Sequence, residues 1–307
     1  MSFLWRSLWR CAPLLLATTM LAWSGNAIVG RALVGAVPPV TLAFLRWAGA
    51  ALLVAAIAWR PLWRDLRAMR RAWPAMLLLS ATGVAVYNTV VYAALHRTTA
   101  LNTLLLQSTM PLFVLAWNFL LFRQPTTPRQ ALAVLVSLAG VAVITARGSL
   151  ATLAGLRLNG GDLLVVAALA DYALYTALLR LRPAVHPLSF LAATCGLGAL
   201  MLAPLAAWET VAGAVLRPTP LALGSIAYVC LVPSALAYLC FNRGVQLVGA
   251  ARAGQYVHLM PVFGTVLAVL LLGERVRAYH FAGIALIAAG LLLASSPARS
   301  APAETQS

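Results

Sequence analysis

Met110-Pro111-Leu112-Phe113 returns 150 residues later as Met260-Pro261-Val262-Phe263, and both copies lie in almost unbroken apolar sequence. Leu120-Leu121 and Leu270-Leu271 keep the same spacing, as do Ala139-Gly140 and Ala289-Gly290. A unit repeated at that interval inside apolar sequence marks a duplicated membrane element, a common build among secondary transporters.

Composition points the same way. Hydrophobic residues make up 63% of the 307, charged residues only 9%, and the mean hydropathy is +0.91, so a water-facing surface cannot be assembled from this chain. Its natural surroundings are a lipid bilayer. The net charge of +16 comes from 22 basic residues, all of them Arg, set mainly between apolar runs. A nucleic-acid binder needs a contiguous basic face, so that class is excluded. Cys11, Cys195, Cys230 and Cys240 show no metal-ligand spacing, and neither a metal nor any other cofactor is expected.

A hydrocarbon core of about 30 Å calls for roughly 20 apolar residues in helix. Ten such spans are read at roughly 13–33, 39–59, 74–95, 98–122, 129–146, 161–180, 187–207, 220–241, 249–272 and 278–295. Arg6 and Arg10 precede the first as they would a signal peptide, but no convincing cleavage site follows, and it reads as an uncleaved span. The organisation expected is a short segment 1–12, a first repeat 13–146, a linker 147–160, a second repeat 161–295 and a disordered tail 296–307. With the N-terminus inside, fourteen arginines fall on the cytoplasmic side and seven outside, led by Arg60, Arg64, Arg67, Arg70 and Arg71 between spans two and three. The positive-inside rule then places both termini in the cytoplasm.

Five helices per repeat is an odd number, so the second copy enters the membrane from the opposite side. The expectation is an all-α protein of ten transmembrane helices in two inverted five-helix repeats, with a substrate site near midplane between them.

The chain resembles the EamA-type family of the drug/metabolite transporter superfamily. The resemblance covers residues 13–295 and rests on Leu21-Ala22-Trp23-Ser24-Gly25-Asn26, Leu45-Arg46-Trp47, Thr99-Ala100 and Met110-Pro111-Leu112-Phe113 in the first half. The second half supplies Gly161-Asp162, Gly249-Ala250, Met260-Pro261-Val262-Phe263 and Leu271-Leu272-Gly273-Glu274-Arg275. It implies an inner-membrane carrier exporting amino acids, related metabolites or drugs, and does not name the substrate. The chain departs from the pattern twice. Arg123-Gln124 stands where the second repeat has Gly273-Glu274, which suggests a helix-end role that one half can do without. Asp171-Tyr172 stands where the family favours an aromatic.

Asp171 lies ten residues past Gly161, about 15 Å along a helix and so near midplane. An acid at that depth either carries a proton or is held by an arginine. Arg46, about 10 Å into span two, has a planar fork suited to a substrate carboxylate or to Asp171, although it also fits the family pattern as a packing residue. Trp23 and Asn26 share a face of span one and align at an offset of 149 with Tyr172 and Tyr175, so these positions either line a cavity or pack helices. Gln255 and His258 share a face of span nine, with Gln107 and Ser108 nearby in the first-half counterpart, and suggest a polar cavity wall. Tyr87 and Tyr92 in span three and Tyr238 in span eight are further cavity candidates that could equally anchor helices by their hydroxyls. Pro111 and Pro261, read as lying inside spans four and nine, are paired helix breaks, the usual pointer to a transport site, or else static kinks.

Small residues such as Gly140, Gly283 and Gly290 permit close helix contact, within the chain or across a homodimer. No phosphate loop, HExxH motif or convergent carboxylate pair is present, so an enzyme is not expected. The reading is a carrier for a small-molecule metabolite. A multidrug or cationic-compound exporter is the alternative, and a membrane scaffold or receptor comes after it.

Overall fold

The computed structural model describes residues 8–98, 103, 106–146, 159–272 and 278–295. Residues 147–158 of the expected linker 147–160, the tail from 296, Thr99-Ala100 and Gly273-Glu274-Arg275 lie outside them.

The chain is all-α, with ten spans in two inverted repeats. The first repeat holds α1 (Ala12–Ala32), α2 (Pro39–Ile57), α3 (Trp59–Arg71), α4 (Trp73–Ala94), α5 (Met110–Phe122) and α6 (Pro128–Thr145). The second holds α7 (Gly160–Leu178), α8 (Pro187–Val211), α9 (Pro220–Val248), α10 (Ala250–Gln255), α11 (Leu259–Leu272) and α12 (Ala278–Ser295). Proline opens α2, α6, α8 and α9, where a missing N–H costs nothing.

Packing follows the inverted symmetry. Helix α1 packs on α9 as α7 packs on α4; α1 packs on α11 as α7 packs on α5; α2 meets its counterpart α8, and α6 meets α12. Between lipid-bathed helices there is little hydrophobic drive, so close approach of small residues carries association. At the α6–α12 crossing a Cβ on Gly140 would stand 2.6 Å from the carbonyl of Gly283, and one on Gly290 would stand 2.7 Å from the carbonyl of Ala133. Those two contacts are images of each other at the repeat interval, and both are made inside one chain.

Four features depart from the sequence reading. The arginine-rich connection between spans two and three is itself a helix, α3, too polar on average to have been read as a span. Span eight runs on to Val248 and span seven to Val211, past the expected ends. Helices α4 and α9 each widen into a π-helical turn, at Ala81–Val86 and Cys230–Leu236, again corresponding positions of the two repeats. Pro111 does not interrupt a running helix. The chain turns at Ser108–Thr109 and α5 restarts at Met110, so Pro111 sits in the first turn of a helix. The second-half counterpart is a 3₁₀ turn over Tyr256–His258, with Pro261 just inside α11.

Helix ends explain two of the sequence motifs. Asn159 caps α7 by accepting from the amides of Gly161 and Asp162 at 2.8 and 3.1 Å, while Asp162 accepts from the Asn159 amide and from the Thr98 hydroxyl. Gly161 lets the backbone of Arg97 approach, since a Cβ there would meet it at 2.9 Å. Gly161-Asp162 therefore ties the start of the second repeat to the end of α4. At the end of α5, Arg123 adopts the left-handed conformation, with φ 52°, normally left to glycine. Its sequence counterpart in the second repeat is Gly273, so the first departure puts a side chain at a helix end whose backbone favours glycine.

Candidate functional site

Arg46 is 1% exposed in the middle of the bundle, and each of its three guanidinium nitrogens has a hydrogen-bond partner. Nε donates to the Ser234 hydroxyl at 2.6 Å. Nη1 faces Asn26 Oδ1 at 3.0 Å, Asn88 Oδ1 at 2.9 Å and the Tyr92 hydroxyl at 2.8 Å, and Nη2 donates to the Pro233 carbonyl at 3.2 Å. Helix α2 is thereby tied to α1 and α4 of its own repeat and to α9 of the other.

The π-helical turn of α9 makes this possible. Pro233 has no N–H to give, and the carbonyl of Val229 is taken by the Ser234 hydroxyl at 2.6 Å. The Pro233 carbonyl, turned out of the helix, accepts from Arg46 and from Trp23 Nε1 at 3.1 Å. In the matching turn of α4 the Gly83 carbonyl accepts from the Tyr238 hydroxyl at 2.6 Å. Each widened turn thus presents a backbone oxygen to the neighbouring helices, a use to which π-helical turns are often put.

Three pairs at the repeat offset touch each other. The Asn88 amide reaches the Tyr238 hydroxyl at 3.3 Å, His258 Nε2 lies 2.9 Å from the Ser108 carbonyl, and the rings of Trp23 and Tyr172 stand edge to face at 5.4 Å. A residue that touches its own counterpart lies on the pseudo-two-fold axis. The axis passes through an aromatic cluster in which Tyr172 also packs on Tyr87, at 4.5 Å, and on Tyr175, at 5.2 Å, while Trp47 stands edge to face on Tyr238 at 4.9 Å.

Beside this cluster is a cavity of about 20 Å³, whose lining includes Trp23, Asn26, Arg46, Tyr87, Gln107 and Tyr238. That volume holds about one water, so the conformation is closed around its centre. Larger clefts open toward either end of the bundle, about 480 Å³ by Thr176, Arg180 and Gln246, and about 420 Å³ by Val37, His96 and Arg217.

The structure thus brings six of the sequence candidates to one cavity and sets the others around it. Tyr92 sits behind the wall, donating to Asn26 Oδ1 at 3.0 Å. Tyr175 is turned away and donates to Asn242 at 2.7 Å. Gln255 is buried with neither amide atom hydrogen-bonded, and Gln107 Oε1 is likewise buried without a partner. Asp171 makes no ion pair with Arg46. It is half-buried on the stripe of α7 that carries Leu164 and Ala167, and its Oδ2 is buried with no hydrogen bond. Tyr87 is in electrostatic reach of both Asp171 and Arg46. The sequence reading missed Ser234 and gave no role to Asn88. The repeat offset was the available signal for Asn88, since it pairs with Tyr238. Ser234 had only the neighbouring proline.

Comparison with known proteins extends these observations. The sequence matches the EamA-like transporter family over residues 11–146 and 159–296. It is 28% identical over 286 residues to an uncharacterized transporter of Archaeoglobus fulgidus, covering 92% of this chain and 96% of that one. It is 26% identical over 233 residues to the uncharacterized transporter YyaM of Bacillus subtilis, covering 75% and 76%. A solved structure described only as "Crystal structure of protein" superposes with a TM-score of 0.75 at 21% identity, over 92% of this chain and 96% of that chain, and so shares the fold. With both repeats matched and the axis running through their shared cavity, the chain belongs to the EamA-like transporter family and is a multi-pass membrane transporter.

Proposed function

We propose that this transporter exports a small metabolite bearing a carboxylate, such as an amino acid or a derivative, by alternating access, with both termini in the cytoplasm and the chain in the bacterial inner membrane. The observation that carries the reading is the guanidinium of Arg46 at the cavity wall with five neutral oxygens around it and no carboxylate. A buried cation satisfied only by neutral acceptors keeps its attraction for an anion, and the planar fork matches a carboxylate in two-point contact. Trp23, Tyr87 and Tyr238 would enclose an apolar side chain, and the unpartnered Gln107 Oε1 and Gln255 amide would take the remaining polar groups. The same charge argues against a cationic drug at this site. Asp171 is the proton carrier in this scheme, supported by a carboxylate oxygen at membrane depth that nothing else engages.

The test is counterflow in liposomes holding the purified protein, with a panel of amino acids, nucleobases and cationic dyes. Saturable exchange of carboxylate-bearing solutes alone is the expected result. Exchange confined to the dyes would replace this reading with the drug-exporter one.

A further inference from the structure

Helix α3 follows α2 after the single residue Ala58 and precedes α4 after the single residue Ala72. Its two ends are therefore pinned to the same face of the membrane. A helix of 13 residues is about 20 Å long, and with no slack at either end it lies flat along that face.

Its two sides differ. One docks on α8, burying Met69 and placing Asp65 Oδ2 2.9 Å from the His186 amide. Trp63, Arg67 and Arg70 follow one another at helical spacing on another stripe, and with Leu66 and Arg71 they line a groove of about 520 Å³. Trp63 is 71% exposed, and Trp59 and Trp73 are exposed at the two ends of the helix. No acid lines this groove, and the one carboxylate on the helix is occupied elsewhere.

We propose that this groove binds the headgroup of an anionic phospholipid. Three guanidiniums beside an exposed indole and a leucine are complementary to a phosphodiester with an acyl chain attached, since the arginines take the phosphate oxygens and Trp63 and Leu66 take the glycerol and upper acyl carbons. A free phosphate would leave those apolar side chains facing water. The site shares no residue with the central cavity and does not depend on what is transported.

The full-length protein is loaded with equimolar phosphatidylglycerol and phosphatidylcholine, and retained lipid is counted by native mass spectrometry. Wild type is expected to retain phosphatidylglycerol preferentially, with the preference falling about fivefold for each of Arg67→Gln, Arg70→Gln and Arg71→Gln and by less for the Lys variants. Trp63→Ser, which leaves the charge intact, should also lower retention. The single variants are paired with a thermal melt, and only those that melt with wild type are compared. Equal retention in wild type and the arginine variants would overturn the proposal. So would displacement of the bound lipid by millimolar inorganic phosphate, which would make the groove a site for a soluble anion.

Discussion

The side-chain amide of Asn88 donates to the hydroxyl of Tyr238 at 3.3 Å, and the two residues are one repeat length apart. Tyr238 in turn donates to the Gly83 carbonyl at 2.6 Å, inside the widened turn of α4. Tyr238→Phe leaves that buried carbonyl unmatched. It is expected to cost about 1 kcal/mol of stability, within the range found for hydrogen bonds between membrane helices, and to lower transport more than it lowers the melting temperature. A melt paired with a flux assay reads both.

Arg46→Lys tests whether the planar fork matters beyond its charge. An ammonium has three donors on one atom and cannot span Ser234, Asn26, Asn88, Tyr92 and the Pro233 carbonyl together. Flux is expected to fall by at least tenfold with the protein still folded, and Arg46→Gln to fall at least as far. Wild-type flux in the Lys variant would remove the fork from the mechanism.

Arg123→Gly should stabilise the protein. The exposed arginine holds a left-handed backbone at a helix end, which glycine adopts without the steric penalty of a Cβ. A gain of about 1 kcal/mol or less, seen as a higher melting temperature with unchanged transport, is the expected outcome; a loss would show that the arginine side chain holds something in place.

Gly140→Val places carbon against the Gly283 carbonyl, which a Cβ would already meet at 2.6 Å. Overpacking of this kind costs about 1–3 kcal/mol. The melting temperature of the purified chain is expected to fall at every protein concentration, because the contact is made inside one chain. A fall confined to concentrations at which dimers form would point to an interface between copies.

Burial works to raise the Asp65 carboxyl, but the His186 amide first, then the Ser189 hydroxyl and the Arg64 guanidinium, hold it below its ordinary 3.8. A carboxylate whose folded value is depressed stabilises above its unfolded value and loses that contribution as pH falls through the folded one. Amide exchange at the α3–α8 contact is expected to be flat from pH 8 to 5 in opening free energy and to loosen below about pH 4. Asp65→Asn should abolish that acid step.

Asp171→Asn keeps the volume of the side chain and removes its proton. Flux through the variant is expected to ignore an imposed pH gradient that drives the wild type. A wild-type pH response in the variant would take the proton role from Asp171.

The repeat motif and the length of the apolar runs made the ten-helix inverted architecture legible, because both depend on local composition and on the parity of five. Arg46, Trp23 and Tyr238 were legible for a related reason, since a charge or large aromatic inside a span needs a partner. Spacing placed Asp171 along α7, but its direction around the helix depends on packing that spacing alone does not fix. The widened turns of α4 and α9 were hidden because Ala81-Thr82-Gly83-Val84-Ala85-Val86 reads as ordinary apolar helix, and one inserted residue leaves no trace in hydropathy. Helix α3 was obscured by its own arginines, whose charge was counted toward orientation before their spacing was considered.

The pairs that touch their own counterparts carry a mechanical meaning. When two halves exchange conformations, a contact lying on the axis maps onto itself, whereas an off-axis tie such as Arg46 to Ser234 maps onto a different pair of residues in the opposite half. In the proposed cycle Asn88 with Tyr238, Ser108 with His258 and Trp23 with Tyr172 would thus form the fulcrum of the molecule. Under the alternating access proposed above, the lever arms are the helix ends at the two membrane faces, which move farther than the contacts at the fulcrum.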